Sequence, residues 1–154
     1  MTGRFAVRTR VTNKIERSAL VMRPAEAMYA LVVDVESYPR RFGWCQSTEL
    51  IERGEDTMKA RMDVQLAGFK TWFITENTME PGRWMEMRLA DGPFKRLYGR
   101  WEFKPLSEQA CKVSLVLEFE PASSLLGPVI KLGMQGLADR MVDDFVRTAM
   151  AEAA

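Results

Sequence analysis

Histidine is absent from all 154 residues of this sequence. Histidine is the commonest general base near neutral pH and the commonest metal ligand, so its absence excludes Ser-His-Asp and Cys-His catalytic arrangements. The sequence has only two cysteines, Cys45 and Cys111, which lie far apart. Two cysteines with carboxylates match tetrahedral zinc ligation poorly. We therefore expect no metal site, and we expect both cysteines to be small buried residues with reduced thiols.

Long apolar runs are also absent. A charged residue recurs every few positions, so no window approaches the ~20 uninterrupted apolar residues of a membrane-spanning helix. The first seventeen residues lack the continuous apolar stretch of a secretory signal. These absences predict a soluble protein of a bacterial-type cytoplasm, with the periphery of the inner membrane as an alternative location.

Neither positive nor negative charge is in clear excess, because the net charge is only +1. Such a balance gives little attraction to a polyanion, so we expect no DNA partner. The exception is the N-terminus, where five basic residues stand against one acidic residue within the first seventeen positions. We interpret residues 1–14 as a flexible basic leader, with a contact to RNA or to a membrane surface as the alternative. A single domain is expected over residues 15–152.

The first part of the chain predicts one strand followed by two short helices. Residues 15–22 alternate as a strand, and Pro24 then opens a helix at a position where its missing N–H is harmless. Residues 34–42 form a second short helix or a turn, because Pro39 is acceptable only in a first helical turn or a break.

Between residues 44 and 121 apolar residues recur with period two, which is typical of strands buried on one face. Turn signals near Gly54, Gly68, Gly82 and Gly92 separate the runs. This region therefore predicts an antiparallel meander of six strands.

After Pro121 the apolar period becomes helical, with Ser123 or Ser124 as the expected N-cap. The apolar stripe of this long helix consists of Leu126, Val129, Ile130, Met134, Leu137, Met141, Val142 and Phe145. The only large apolar surface available to cover it is the inner face of the meander. The predicted fold is thus α+β, with a curved antiparallel sheet wrapped around a long C-terminal helix.

Several segments, in order and spacing, match a known family. They are residues 17–21 (RSALV), 34–39 (DVESYP), 44–45 (WC), 91–97 (DGPFKRL), 99–106 (GRWEFKPL), 110–113 (ACKV), Phe119 and 141–145 (MVDDF). Over residues 15–149 the chain resembles the START-like helix-grip family, within the polyketide cyclase/dehydrase superfamily, that contains coenzyme-Q-binding proteins and a bacterial ribosome-association toxin. It departs from the family pattern at Arg41 and Gly43, where an aromatic residue and a second proline are usual.

This resemblance implies a hydrophobic tunnel between the sheet and the long helix, holding ubiquinone or another polyprenyl lipid. The protein would then be a quinone carrier that supports respiration, with transient membrane contact and no required cofactor. Each buried methylene contributes about 0.8 kcal/mol, so a prenyl chain could bind without a polar anchor. The residues expected to contact the ligand are Trp44 and Phe94 at the mouth, with Leu97, Trp101, Phe119, Met134, Leu137, Met141 and Phe145 in the tunnel.

Two alternatives remain open. In the first, the protein binds the large ribosomal subunit and blocks subunit association; the residues that would meet phosphates are Arg4, Arg8, Arg10, Lys95, Arg96 and Arg100. In the second, it is an enzyme of the aromatase/cyclase type, with acid or base work at Glu76, Glu86 or Glu118. Because these glutamates share strand faces with polar residues, we expect them to be solvated. We expect no catalytic residue and no enzyme activity.

Overall fold

The computed structural model describes residues 13–153. Its elements are β1 (Asn13–Val21), α1 (Ala25–Val33), a 3₁₀ turn (Val35–Ser37), α2 (Tyr38–Arg41), β2 (Cys45–Arg53), β3 (Thr57–Leu66), β4 (Phe69–Glu80), β5 (Trp84–Asp91), β6 (Phe94–Ser107), β7 (Ala110–Pro121) and α3 (Gly127–Ala153). Residues 1–12 of the predicted leader lie outside the described residues, whereas Asn13 and Lys14 already belong to β1.

The seven strands form one antiparallel sheet in the order β1-β7-β6-β5-β4-β3-β2. The predicted six-strand meander is therefore confirmed as β2 to β7. Strand β1 pairs with β7, placing Ile15 opposite Leu117, and the short helices carry the chain from there to β2 at the other edge. The predicted α+β architecture, with the sheet curved around the C-terminal helix, is confirmed.

The tight turn between β5 and β6 requires glycine at position 92. Gly92 has a φ of +145°, a conformation that L side chains rarely adopt. A Cβ atom there would also lie 3.1 Å from the carbonyl oxygen of Trp72. The turn predicted at this point is confirmed, and it brings the β5–β6 connection against β4.

Helix α3 lies across the inner face of the sheet, mainly against β1, β7 and α1. It begins later than predicted: Gly127 is its first residue, and the carbonyl of Leu126 accepts the first helical hydrogen bond, from Ile130 N–H at 3.0 Å. The prediction that Leu126 and Val129 lie on the buried stripe is wrong, since they are 52% and 60% exposed. The buried face begins only at Met134.

No helix within residues 13–153 combines the length and the hydropathy needed to cross a membrane.

Candidate functional site

All nine residues predicted to contact a ligand are buried, each at most 7% exposed. The structure separates six of them into two groups along the interior. Trp44, Trp101 and Phe145 lie in one group and Phe94, Leu97 and Phe119 in the other. Met134, Leu137 and Met141 lie on the buried face of α3. That these residues contact a ligand stays a prediction.

The first group is a closed aromatic cluster centred on Phe145 of α3. The ring of Phe145 lies edge-on to Tyr38 at 5.3 Å, to Phe42 at 4.8 Å and to Trp101 at 5.4 Å between centroids. Phe42 also stacks on Trp44 at 5.1 Å. Phe42 thus supplies an aromatic ring one position beyond the Arg41 that replaces the usual one. Trp44, expected at the mouth, is 1% exposed within this cluster.

A carboxylate anchors this cluster to α3. Asp144 is 7% exposed, and its Oδ2 accepts a hydrogen bond from the indole N–H of Trp44 at 3.0 Å. The guanidinium of Arg147 donates to the other oxygen. The sequence signal for Asp144 is a charged residue inside the apolar helical stripe, next to Phe145. Buried carboxylates require such partners, so this one fixes the Trp44 ring.

The second group crosses the inner face of the sheet. The ring of Phe94 lies 6.3 Å from Phe119 and 6.4 Å from Phe73, in each case edge-on. Phe94 was expected to act near the mouth, and in the structure it is 6% exposed between its two neighbours. These rings link β7 to β4 along the interior.

Helix α3 covers the inner faces of β3, β4 and β5 less closely than those of β1 and β7. Helix α3 packs mainly on the β1 and β7 side of the sheet. The inner-face side chains left half-buried at the other side are Met62, Phe73, Met87 and Leu89. Sequence reasoning did not select these residues. Their period-two positions gave the correct face, but they did not reveal which side of the sheet the helix would cover.

Two polar residues lie on this inner wall. Asn77 is 4% exposed and Thr75 is 7% exposed, both on β4. The amide nitrogen of Asn77 donates only to the sulfur of Met85, at 3.8 Å, and within residues 13–153 its Oδ1 has no hydrogen-bond partner. Sequence reasoning missed both residues. The available signal was a polar side chain at an inward position between Phe73 and Met79.

The β3–β4 hairpin contacts the first half of α3 at two glycines. The ring of Phe69 lies directly over Gly133, and a Cβ atom on Gly136 would lie 3.3 Å from the Leu66 side chain. The absence of side chains on the helix is what allows this close approach. The hairpin tip therefore covers the interior on the side where α3 begins.

The three glutamates weighed as acids or bases lie on the outer face. Glu76 is exposed, Glu118 is partly exposed, and Glu86 accepts hydrogen bonds from Tyr98, Arg88 and Arg100. The Tyr98 hydroxyl, aided by the two arginines, holds the pKa of the Glu86 carboxyl below its usual range. A carboxyl with a lowered pKa is ionised near neutral pH, so it holds no proton to donate as a general acid.

Basic residues meet at a cleft beside β5 and β6, which we call the basic cleft. Arg88, Lys95 and Arg96 lie around this cleft of about 260 Å³, together with Tyr98 and Glu118. The guanidinium of Arg88 lies 5.0 Å from the centre of the Tyr98 ring. Lys95 is ion-paired with Glu120, and Arg100, the other predicted phosphate contact within the described residues, is ion-paired with Glu86 and Glu102. Arg4, Arg8 and Arg10 lie outside the described residues.

Both cysteines are buried and unpaired with each other, as expected. Burial, with a contribution from Asp63, raises the pKa of the Cys45 thiol to about 12, and burial also raises the pKa of Cys111. Neither thiol has the lowered pKa of a nucleophile. Within residues 13–153 no group of three or more Cys, Asp or Glu side chains is arranged to hold a metal ion.

A curved antiparallel sheet wrapped around one long C-terminal helix places this protein in the helix-grip class. Zhui aromatase/cyclase from a Streptomyces species has the same fold, with a TM-score of 0.86 over 94% of this chain and 97% of that chain at 16% identity. The family model described as polyketide cyclase/dehydrase and lipid transport matches residues 21–146. The chain belongs to this START-like family, as its sequence motifs indicated.

Similar proteins within the family carry one recurring name. The chain is 39% identical over 143 residues to the ribosome association toxin RatA of Pseudomonas aeruginosa, covering 90% of this chain and 96% of that protein. It is 43% identical over 137 residues to the RatA of Vibrio cholerae, covering 89% and 95%. The mitochondrial coenzyme Q-binding protein COQ10 of Drosophila melanogaster is 24% identical, covering 85% and 56%. These similarities favour the ribosome alternative over the quinone carrier that we first expected.

Proposed function

We propose that this protein associates with the large ribosomal subunit and blocks its joining to the small subunit. The observation that carries this proposal is the similarity of about nine-tenths of the chain to proteins named ribosome association toxins, at 39–43% identity. Similarity along the whole domain favours a shared surface as well as a shared fold.

The basic cleft is the surface that we assign to the ribosome. Arginine and lysine side chains bind RNA phosphates, and an arginine over an aromatic ring offers a platform for an unpaired base. Arg88, Lys95, Arg96 and Tyr98 provide these groups together. Because the net charge of the whole chain is near zero, attraction to RNA has to come from a local cluster of basic residues such as this one.

Co-sedimentation with purified large subunits over a series of salt concentrations tests this assignment. The double charge reversal Lys95→Glu/Arg96→Glu should weaken binding and reduce the slope of log K against log salt by about two. Lys104→Glu/Lys112→Glu is the matched control, because these exposed residues lie opposite each other on β6 and β7, at the end of β6 far from Lys95 and Arg96. Equal binding by both double variants would contradict the basic cleft as the contact surface.

A second candidate function is the retention of an apolar molecule, such as a polyprenyl quinone, between the sheet and α3. The half-buried inner wall of β3–β5 favours it, because this part of the interior is least covered by the helix. The family description, which includes lipid transport, and the distant coenzyme Q-binding relative agree with it. We propose that such a molecule is held without covalent chemistry, since the sequence has no histidine and the Glu86 pKa is lowered.

Organic extraction and mass spectrometry of the protein purified from its source cells test this second candidate, with an unrelated protein prepared in the same way as control. A stoichiometric quinone or lipid is the expected result. A protein that carries none and takes up no added ubiquinone would contradict it, without affecting the ribosome proposal.

A further inference from the structure

We propose that Asn77 is the polar anchor of an internal binding site, and that the molecule bound there is amphipathic, with a hydroxyl group on an apolar body. This inference rests on the second candidate function. It goes beyond that function because it names a residue and a chemical group that the apolar interior alone does not require.

The side chain of Asn77 is buried with most of its hydrogen-bonding capacity unused. A carboxamide offers two acceptor positions and two donor positions. Within residues 13–153 the only hydrogen-bond partner of the Asn77 side chain is a thioether sulfur, a weak acceptor, and the side chain is 4% exposed. A buried polar group left without partners destabilises the fold, so such groups are uncommon in interiors. A ligand hydroxyl that donates to Oδ1 would supply the missing bond.

The position of Asn77 in the sheet also favours a ligand site. It is on the inner face of β4, opposite Met58 of β3 and Met87 of β5, next to the half-buried wall of the interior. Its neighbour on the same face is Thr75, a second buried polar residue, where the β4–β5 register shifts by one residue. Such irregularities are frequent beside binding sites because they redirect side chains.

The surroundings of Asn77 define the rest of the ligand. Met58, Met79 and Met85 are buried around it, and the Met87 side chain folds over Gly99 of the next strand. Thioether side chains are flexible and repack around apolar groups of different shapes. A ligand with one hydroxyl at Asn77 and a flexible apolar body matches this combination. An entirely apolar ligand would leave the amide unpaired.

The test uses two probes that differ only at the hydroxyl: para-nonylphenol and its methyl ether, para-nonylanisole. Tryptophan fluorescence titrations measure the affinity of both for the wild-type protein, Asn77→Leu and the control Thr78→Val, whose side chain is exposed on the outer face of the same strand. The wild type and the control should bind the phenol about tenfold or more tightly than the ether. Asn77→Leu should bind both within about twofold.

Thermal unfolding of the ligand-free proteins separates an anchor from a structural residue. Asn77→Leu should melt at a higher temperature than the wild type, because leucine has the same branched shape as asparagine but leaves no buried polar group unsatisfied. A lower melting temperature would show that Asn77 supports the fold, and would overturn the proposal. Equal affinity of the wild type for phenol and ether would overturn the anchor while leaving the internal site. Failure to bind either probe would overturn both.

Discussion

At the scale of single residues, the buried carboxylate of Asp144 holds the aromatic cluster through its hydrogen bond to Trp44. Asp144→Ala should lower the free energy of unfolding by about 2 to 3 kcal/mol, because it leaves the indole N–H of Trp44 buried without an acceptor. Its partner Arg147 is largely exposed and can return to water, so little of the loss comes from that ion pair. Chemical denaturation measures the change.

The neighbouring Asp143 provides the control for this prediction, since its side chain is exposed on the same helix. Asp143→Ala should change the free energy of unfolding by no more than about 0.5 kcal/mol. Similar losses in the two variants would mean that helix charge, and not the hydrogen bond to Trp44, is responsible.

The buried thiol of Cys45 predicts a pH effect on stability. Its pKa is about 12 in the folded protein and about 8.5 in an unfolded chain, so the folded state holds the proton more tightly. The stabilisation from this group is therefore fully present below about pH 8.5 and is lost as the pH rises toward 12. Between about pH 8 and about pH 10.5, the wild type should lose more unfolding free energy than Cys45→Ala. Parallel losses in the two proteins would contradict the raised pKa.

Residue-scale features differ in how far the sequence predicts them. The burial of Trp101 and Phe119 follows from their inward positions on alternating strands. The hydrogen bond between Trp44 and Asp144 joins residues 100 positions apart, and local periodicity carries no signal for such a pair. The same holds for Asn77, whose missing partner becomes visible only when the neighbouring strands are in place.

At the scale of elements, the contact between the β3–β4 hairpin and α3 can be tested by substituting two helix glycines. Alanine is favoured over glycine inside a helix by about 1 kcal/mol. Gly136→Ala should raise the free energy of unfolding by most of this amount, because its new methyl group meets only the flexible end of Leu66. Gly133→Ala should not raise the free energy of unfolding, because its methyl group would overlap the ring of Phe69. Thermal and chemical unfolding measure both variants.

A double variant isolates the contact. Adding Phe69→Ala removes the ring, so Gly133→Ala should then stabilise the protein relative to Phe69→Ala alone. If Gly133→Ala stabilises the wild-type background as much as Gly136→Ala does, the hairpin does not lie against the helix as described.

Element boundaries show where sequence patterns reach their limit. The turns at Gly68 and Gly92 could be predicted because each turn requires a positive φ, which glycine adopts readily. The start of α3 could not be predicted from Ser123 or Ser124, since the favourable cap residues are not used and Leu126 takes their place. Helical periodicity likewise placed Val129 on the buried stripe, although it lies ahead of the region covered by the sheet.

At the scale of the whole molecule, the architecture was predictable and the position of the helix on the sheet was not. Period-two strands followed by one long apolar helix leave few ways to cover both surfaces, so the helix-grip arrangement follows. How the helix lies across the sheet depends on many side chains together. That placement covers β1 and β7 more closely than β3–β5, and it moved the candidate ligand wall to residues such as Met62 and Met87.

Light scattering of purified small and large ribosomal subunits measures their joining. When magnesium is raised to start joining, the signal should rise less as this protein is added, and pre-incubation with the large subunit should give the stronger effect. The Lys95→Glu/Arg96→Glu variant should inhibit less than the Lys104→Glu/Lys112→Glu control. Undiminished joining in the presence of an excess of folded wild-type protein would contradict the account.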